Sequence, residues 1–418
     1  MFSALILSAV LSAPNVVVIS VDTLRADHLG FYGHAHDTSP HLDELAKESL
    51  VFDDMICEIP LTSPSFSAMM SSRYPRMTGA TRNGLPLPDE VPTAAQIFQK
   101  AGYETMCVTS NWTLKRKLSG LERGFDIYDD SFKQKRWGIL KSERDADDVT
   151  KLALDLLEKR DESKPLFAWF HYSDPHAPYK KHRKFSISET SDYADDPGAK
   201  IKVKYDSEIA FTDDQIKLVL DALPKEDTYI VFIGDHGESI YEHDYLGHGR
   251  RIYQTGLRIP FMVSGPNIDA GRTDIPVRGV DLAPTLLGLA QLEFLPGAVG
   301  LDVMNADVDY SRLRVVETYG GAVPNFSVAR LVMAGKSAQR IGIISDGWKL
   351  IKNDEKYELF DLNQDPDELK NLADTYPELV KELNDIVLDW DKRVPRNAQD
   401  ADLSKEDMDA LRSLGYID

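Results

Sequence analysis

Hydrophobic and polar positions follow two alternating patterns along the chain. Continuous apolar runs rich in β-branched or aromatic residues, typical of strands buried on both faces, occur at 15–21, 103–109, 166–172, 228–234 and 259–265. Between these runs, apolar residues recur at helical spacing at 41–49, 148–160 and 207–223. Strands that alternate with helices predict an α/β fold whose mostly parallel central sheet is flanked by helices.

The pattern changes beyond about Asp302. Segment 340–362 has the pattern of short strands, with turns at Asp346-Gly347 and Asn353-Asp354. An amphipathic helix is predicted at 377–394. We therefore predict a main α/β domain at 14–305 and a C-terminal subdomain at 306–418, built from short antiparallel strands and a packing helix.

The first 13 residues, MFSALILSAVLSA, form a short apolar run that contains small residues near its end. This composition is typical of the apolar part of a secretory signal peptide, with Ala9 and Ala13 at plausible cleavage positions. Pro14 and the lack of a preceding Lys or Arg fit this interpretation poorly, and the alternative is an apolar strand in a cytoplasmic protein. We expect export, either periplasmic or secreted. No other stretch is long and apolar enough to predict a membrane span.

Composition narrows the classes of partner. The 418-residue chain is 42% hydrophobic, so it can bury a large core, and its formal net charge is −20. The electrostatic field of so large a negative charge argues against binding to nucleic acid or to anionic membrane surfaces. It allows an anionic substrate where a metal ion or basic groups reverse the local potential. The two cysteines, Cys57 and Cys107, indicate neither a disulfide framework nor a thiolate zinc site.

Metal-binding residue types follow three of the predicted strands. They are Asp22, Asp174, His176, Asp235 and His236, with His248 a short distance further on. Because ligands bind outside the carboxyl ends of strands in open α/β sheets, we expect these side chains to meet at one edge. Each could singly cap a helix or face water, but the set predicts a divalent metal site with oxygen and nitrogen ligands.

The segment 61–72, LTSPSFSAMMSS, places a hydroxyl at a helix start. Ser63 followed by Pro64 is typical of an N-cap and a first-turn proline, so a helix is predicted from there. The hydroxyl of Thr62 would face unpaired backbone N–H groups and the positive end of the helix dipole, which suits sulfate or phosphate oxygens. Thr62 could equally be an ordinary residue preceding a helix.

These motifs together resemble the sulfatase family of the alkaline phosphatase superfamily. The resemblance covers nearly the whole chain in one order, through segments 15–33, 62–75, 170–179, 233–249, 257–265, 281–290, 357–373 and 411–418. It implies a sulfatase-like fold and one divalent ion (Ca, Mg, Mn or Zn). It also implies that Asp22, Asp235 and His236 bind this ion together with Thr62, which would supply the nucleophilic oxygen.

The resemblance implies further roles around the ion. His176 is similar to the histidine that holds or protonates the leaving group. His248 stands where many members of the family have a lysine that contacts substrate oxygens. Asn83 resembles an oxyanion contact, and Ser65 is expected to contact the substrate as well.

The chain departs from the family pattern in three places. The motif C-x-P-S-R, whose cysteine is oxidised to formylglycine, is replaced here by a segment that starts at Thr62 and ends at Phe66. Thr23 stands where many sulfatases have a second aspartate beside Asp22. Asn111-Trp112 occupies the place of a frequent basic pair.

The missing formylglycine changes the expected chemistry. A formylglycine hydrate can release sulfate by breaking its own C–O bond, whereas a threonine ester must be hydrolysed by water attacking sulfur or phosphorus. We therefore predict a sulfatase-like metal-dependent hydrolase of sulfate or phosphate esters that uses Thr62. The alternatives are a catalytically inactive binding protein of the same fold and a phosphoryl transferase to an acceptor other than water.

Two further expectations concern the metal and the substrate. All ten histidines lie at or before His248, so the late histidine of two-zinc phosphatases is missing and a single ion is expected. The expected partner is a sulfate or phosphate ester that is small, glycan-linked or lipid-linked, and no nucleic acid. The oligomeric state is left open by the sequence.

Overall fold

A computed structural model describes residues 13–132, 135–136, 139–140, 144–305, 307–309, 311–320, 341–354 and 356–397. Apart from Ala13, the predicted signal peptide lies outside these residues, as does the closing motif at 411–418. No helix within the described ranges is long and apolar enough to cross a membrane.

The described strands, in chain order, are β1 Asn15–Val21, β2 Ser49–Phe52, β3 Met55–Ile56, β4 Glu104–Val108, β5 Ile127–Asp129, β6 Lys135–Arg136, β7 Ile139–Leu140, β8 Leu166–Tyr172, β9 Thr228–Gly234, β10 Ser239–Ile240, β11 Leu246–Gly247, β12 Phe261–Ser264, β13 Gly271–Thr273, β14 Val277–Arg278, β15 Arg314–Glu317, β16 Ile341–Ser345, β17 Trp348–Asn353 and β18 Lys356–Asp361.

The described α-helices are α1 Pro40–Ala46, α2 Thr62–Ser71, α3 Pro75–Thr78, α4 Ala94–Lys100, α5 Arg116–Ser119, α6 Ala146–Lys159, α7 Ala199–Ala222, α8 Gln254–Leu257, α9 Leu282–Leu289 and α10 Pro377–Arg393.

Eight strands form the central sheet, in the order β13-β2-β12-β9-β1-β8-β4-β5. β12 runs antiparallel to both of its neighbours, and the other neighbouring strands pair in parallel. The predicted mostly parallel sheet is therefore confirmed, and the five predicted strands all belong to it. The short strands β2, β5 and β13 were not predicted, because three or four residues give too little periodicity.

β1 lies near the middle of this sheet and contributes to two cores. Val16 and Val18 pack into the core that contains residues of α2, α4 and α9. Val17 and Ile19, on the opposite face, pack with residues of α1, α6 and α7. A strand covered on both sides needs apolar side chains at most positions, which explains the run NVVVISV; the buried polar residues Asn15 and Ser20 form hydrogen bonds with Thr228 and His171.

Helix boundaries differ from the predictions at three places. The helix predicted at 41–49 ends at Ala46, and Ser49 already belongs to β2. The helix predicted at 207–223 begins at Ala199, because its polar first turns, in which Val203 is buried, gave a weaker periodic signal.

The helix expected after a Ser63 N-cap begins instead at Thr62, with Leu61 as its extended N-cap residue. Pro64 is still tolerated, since its missing N–H would belong to the first turn, where helix N–H groups have no partner within the helix.

The C-terminal part forms a four-stranded sheet in the order β15-β16-β17-β18, with antiparallel pairing throughout. The predicted turn between β16 and β17 is present, and Asp346 and Gly347 have positive φ angles of 48° and 78°. Apolar residues of α10 pack against this sheet through Leu383, Val387 and Trp390. The predicted architecture of antiparallel strands and a packing helix is confirmed, while the boundary at 305–306 stays a prediction.

Candidate active site

The sheet register brings the predicted ligands to one place. Val21, at the end of β1, pairs with Gly234 of β9 on one side and with Tyr172 of β8 on the other. The residues that follow these strands are therefore neighbours at the carboxyl edge of the sheet. Asp22 and Asp235 emerge from adjacent strands, as the sequence predicts.

Asp22, Asp235 and His236 form a buried group whose ligand atoms all lie within 4.8 Å of one another. Nε2 of His236 lies 3.5 Å from Oδ2 of Asp235 and 3.7 Å from Oδ1 of Asp22. Neither of these two carboxylate oxygens accepts a hydrogen bond from the described part of the chain. Buried oxygens of this kind require compensation, and a cation supplies it.

Backbone hydrogen bonds orient the three side chains. The amides of Thr23 and His236 donate to Oδ1 of Asp235, at 3.0 and 2.7 Å, which leaves Oδ2 directed at the ligand group. Nδ1 of His236 lies 2.9 Å from the carbonyl oxygen of Gly237. Since a carbonyl can only accept, Nδ1 carries the proton and Nε2 presents its lone pair.

Charge in this group is unbalanced without an ion. Burial and the charge of Asp22 raise the pKa of Asp235 well above its ordinary value. Burial also acts to raise the pKa of Asp22, but His171, His176 and His236 together hold it below its ordinary value. Burial and His248 lower the pKa of His236 to about 3, so its imidazole is neutral near pH 7. These residues fit a buried site for one divalent ion.

Thr62 lies beside this site at the first position of α2. Its side chain is buried, and Oγ1 lies 3.4 Å from Nε2 of His236. Oδ1 of Asn83 accepts a hydrogen bond of 3.1 Å from the Ser63 amide. Nδ2 of Asn83 and Oγ of Ser63 are buried and have no hydrogen-bond partner among the described residues. Unsatisfied donors next to a helix start are suited to the oxygens of an anionic ester.

The hydroxyl of Ser65 points elsewhere. It donates a hydrogen bond of 2.7 Å to the carbonyl oxygen of Asp235, and thus ties α2 to the loop that carries two of the metal-binding candidates. The predicted substrate contact of Ser65 stays a prediction.

Two further histidines gather at the same edge. The ring centroid of His248 lies 4.6 Å from that of His236 and 5.3 Å from that of His176. His176 is 8% exposed, and Asp174, which follows the same strand, is also buried. Of the predicted site residues, Asp22, Thr62, His176, Asp235, His236 and His248 thus lie around one region, and Asn83 reaches it through Ser63.

Sequence reasoning missed Glu238, a buried carboxylate that contacts His248. Its Oε1 lies 3.2 Å from Nδ1 of His248, and its Oε2 accepts a hydrogen bond of 2.9 Å from Tyr179. Although burial acts to raise it, the pKa of Glu238 is lowered by His248, His176 and Tyr179. Its position two residues after His236, in the motif DHGE, could have indicated that Glu238 lies near the site.

Asn111 and His171 were also missed as neighbours of Asp22. The side-chain amide of Asn111 donates to Oδ2 of Asp22, and Nε2 of His171 lies 3.7 Å from the same oxygen. The sequence singles out Asn111 only as part of a pair that replaces two basic residues, and His171 lies inside the mostly apolar run of β8, so neither was predicted to contact Asp22.

Two of the departures from the family pattern, at Phe66 and Thr23, have a structural explanation. Phe66 packs against Trp169 and His171, with ring centroids 4.8 and 5.0 Å away, so this position is part of the core. Thr23 has a φ of 54°, and its backbone carbonyl accepts a hydrogen bond of 2.6 Å from Tyr205. Thr23 therefore contributes its backbone to the site and adds no third carboxylate.

The family of this chain follows from comparison with known proteins. The sequence model of the family described as Sulfatase matches residues 14–292, more than half of the chain. The chain belongs to the sulfatase family. By homology it is therefore a sulfuric ester hydrolase of the alkaline phosphatase superfamily.

Individual relatives are distant in sequence but cover most of this sulfatase. The ulvan-active sulfatase of Formosa agariphila is 28% identical over 361 residues, which are 75% of this chain and 70% of that protein. The N-acetylglucosamine-6-O-sulfatase of Bacteroides thetaiotaomicron is 23% identical, over 93% of this chain and 88% of that protein. The phosphonate monoester hydrolase of Agrobacterium radiobacter has the same fold, with a TM-score of 0.71 and 18% identity over 91% of this chain and 96% of that one.

Proposed function

We propose that this sulfatase hydrolyses a sulfate or phosphate ester, with Thr62 as nucleophile and one divalent ion held by Asp22, Asp235 and His236. The observation that supports it most directly is the 3.4 Å distance between Oγ1 of Thr62 and Nε2 of His236, beside two buried carboxylate oxygens. A bound divalent ion would lower the pKa of the threonine hydroxyl and stabilise the charge of the ester oxygens.

In the first step, the hydroxyl of Thr62 releases its proton to solvent, and its Oγ atom forms a bond to sulfur or phosphorus as the bond to the leaving-group oxygen breaks. The departing alcohol takes a proton, for which His176 is the proposed donor. Nδ2 of Asn83 and Oγ of Ser63, which are buried without a hydrogen-bond partner among the described residues, would hold the non-bridging oxygens. The products of this step are the free alcohol and a sulfated or phosphorylated Thr62.

In the second step, water attacks the same sulfur or phosphorus atom, and the bond to Oγ of Thr62 breaks. The water proton passes to His248, which then returns it to the Oγ atom of Thr62, and His176 takes back from solvent the proton that it gave to the alcohol. The carboxylate of Glu238 accepts a hydrogen bond from Nδ1–H of His248, which leaves Nε2 as the basic atom and stabilises the imidazolium that forms. Glu238 is thus a positioning residue for the proposed base.

The substrate's other half is proposed to be a sugar or another alcohol. Two relatives are named for activity on ulvan and on N-acetylglucosamine 6-O-sulfate groups, and a third for phosphonate monoesters. Direct hydrolysis of a threonine ester is well precedented chemically for phosphoryl groups, so phosphate and sulfate esters both belong in the first assay.

The test is hydrolysis of matched nitrophenyl sulfate, phosphate monoester and phosphate diester substrates. Wild type, Thr62→Ala and Thr62→Ser would each be stripped of metal and given Ca, Mg, Mn or Zn. We expect metal-dependent turnover that is lost in Thr62→Ala and retained in part in Thr62→Ser. Absence of turnover on every ester, with a metal-induced rise in melting temperature, would instead identify an inactive sulfatase-fold binding protein.

A further inference from the structure

A second cluster of metal-ligating side chains lies behind the active site, on the face of the sheet that α7 covers. His28 ends a 3₁₀ helix at Ala26–His28, shortly after β1, and His34 lies in the loop that follows. Asp206 projects from α7. One ligand atom from each of these residues lies within 4.8 Å of the other two.

The distances in this cluster are close to those of a metal centre. Oδ1 of Asp206 lies 2.8 Å from Nδ1 of His28 and 3.6 Å from Nε2 of His34. Ligand atoms held about 2.0–2.2 Å from a tetrahedral ion are roughly 3.4 Å apart. Shifts on the order of 1 Å would therefore let all three atoms bind one ion.

His34 supplies an independent reason to expect a ligand. Its side chain is 10% exposed, and its Nε2 atom is buried without a hydrogen-bond partner in the described parts of the chain. Oδ1 of Asp206, 3.6 Å away, is too distant for a hydrogen bond, so this buried ring nitrogen has lost its water without gaining a hydrogen bond in exchange. The ring centroids of His34 and His28 are 4.8 Å apart, so both rings face the same carboxylate.

The charges around the cluster favour a cation. Burial lowers the pKa of His28, so its imidazole is neutral. Because an ionised carboxylate only accepts, Nδ1 of His28 carries the proton in its 2.8 Å contact with Oδ1 of Asp206, and an ion bound there would replace that proton. Although burial acts to raise it, the pKa of Asp206 lies below its ordinary value because of His28, His34 and Tyr193, so its carboxylate is ionised. Tyr193 donates a hydrogen bond to the other oxygen of Asp206, which leaves Oδ1 for the cluster.

We propose that His28, His34 and Asp206 form a second metal site, separate from the proposed catalytic one. Two imidazole nitrogens and one carboxylate oxygen suit a divalent transition ion of the zinc, cobalt or nickel class, and three protein ligands leave room for water. Harder ions such as Ca and Mg prefer sites built from oxygen alone.

Such an ion would join the loop after β1 to α7. The neighbouring Tyr205 already donates to the carbonyl of Thr23, at 2.6 Å, and accepts from the amide of Arg25, at 2.9 Å. These bonds fix the backbone directly after Asp22. The ion would therefore act as a structural clamp behind the catalytic edge.

The test counts cobalt ions bound to the metal-stripped full chain, by titration calorimetry and by the visible absorption of four- or five-coordinate Co²⁺. Wild type is expected to bind two equivalents. His34→Ala should bind one, and the double variant Asp22→Asn/Asp235→Asn should also bind one, at the remaining site. His41→Ala, which changes a histidine outside both clusters, is the matched control and should bind two.

Wild-type stoichiometry and affinity in His34→Ala would overturn the proposal. If His34→Ala does not fold, the Asp22→Asn/Asp235→Asn variant tests the proposal alone. It should bind one equivalent of cobalt if the second site exists and none if it does not. This readout does not depend on turnover, so loss of the proposed catalytic function would leave it intact.

Discussion

Oγ1 of Thr62 and Nε2 of His236 lie 3.4 Å apart, although the two residues come from different elements, the start of α2 and the loop after β9. The same nitrogen lies 3.5 Å from a carboxylate oxygen of Asp235. A hydroxyl, an imidazole and a carboxylate thus lie next to one another in a buried position at the carboxyl edge of the sheet. This convergence is the basis for the proposal that Thr62 is the nucleophile.

Substitution of Asp235 by Asn should remove the metal-induced stabilisation. The amide keeps the shape of the side chain and accepts the same backbone bonds, but it removes one negative charge and replaces a ligand oxygen with N–H groups. We expect turnover to fall by about 100-fold or more, in line with metal-site substitutions. Thermal unfolding with and without a chelator measures the loss, and Asp221→Asn, on the exposed end of α7, is the control. An unchanged metal effect in Asp235→Asn would contradict the assignment.

Glu238→Gln should slow turnover while leaving substrate binding nearly intact. The carboxylate accepts hydrogen bonds from both His248 and Tyr179, and an amide would place N–H groups against one of these donors. We expect kcat to fall by roughly 100-fold with little change in KM, because general acid–base catalysis contributes about that factor or more.

The pH profile of kcat distinguishes this role from a structural one. In Glu238→Gln, the profile should differ from that of the wild type, because the variant has lost the negative charge that contacts the proposed base. Tyr179→Phe retains the carboxylate and should keep the wild-type profile. Identical profiles for wild type and Glu238→Gln would show that Glu238 only fills space.

A buried ion pair connects the main domain to the C-terminal sheet. Arg76, in α3, donates from Nε and Nη2 to the two carboxylate oxygens of Glu317, in β15, at 2.9 and 2.6 Å. Glu317→Leu should lower the free energy of unfolding by about 3 kcal/mol, because it leaves a largely buried guanidinium short of one partner. Urea unfolding measures this cost.

The double variant Arg76→Met/Glu317→Leu should recover most of that loss, since neither charge then remains buried. As a control, Asp389→Asn breaks the exposed pair with Arg393 and should change stability by less than about 1 kcal/mol. Additive effects of Arg76→Met and Glu317→Leu would mean that the two side chains do not interact.

Glu58 should make stability fall as pH rises. It is 3% exposed, its Oε1 accepts one hydrogen bond from Val280, and its Oε2 has no partner within the described ranges. Burial raises its pKa from 4.5 to about 7. Between these values the folded chain keeps a proton that the unfolded chain releases, so the free energy of unfolding decreases with pH and levels off above about 7.

Glu58→Gln should remove this dependence. The variant has no proton to lose, so its stability relative to wild type should increase between pH 5 and pH 8, by up to roughly 3 kcal/mol at 1.36 kcal/mol per pKa unit. Denaturant unfolding at the two pH values provides the comparison. Parallel curves for the two proteins would show that Glu58 titrates normally in the fold.

The fold followed from the sequence where one interaction dominates. Strands such as Asn15–Val21 and Leu166–Tyr172 are covered on both faces, so most of their positions are apolar and the run is visible. The predicted helix boundaries were wrong where tertiary packing determines them. Helix α7 extends back to Ala199 through polar turns. Helix α2 begins at Thr62, because Leu61 takes the extended conformation.

The site was predictable in part for a related reason. Asp22, Asp235 and His236 directly follow β1 and β9, so topology alone brings them together. Glu238, Asn111 and His171 act on those residues through side-chain contacts, and their positions depend on loop conformation and rotamers that no periodic pattern encodes.

The most direct test of the central role of Thr62 is trapping of its covalent ester. Metal-loaded enzyme would be mixed with excess nitrophenyl sulfate or phosphate and quenched in acid within the first turnover. The quenched protein would then be digested for mass spectrometry of the peptide that contains residues 61–72. We predict one sulfuryl or phosphoryl group on Thr62 in the wild type and none in Thr62→Ala. Turnover in Thr62→Ala at the wild-type rate, with no modified peptide in either protein, would contradict the account.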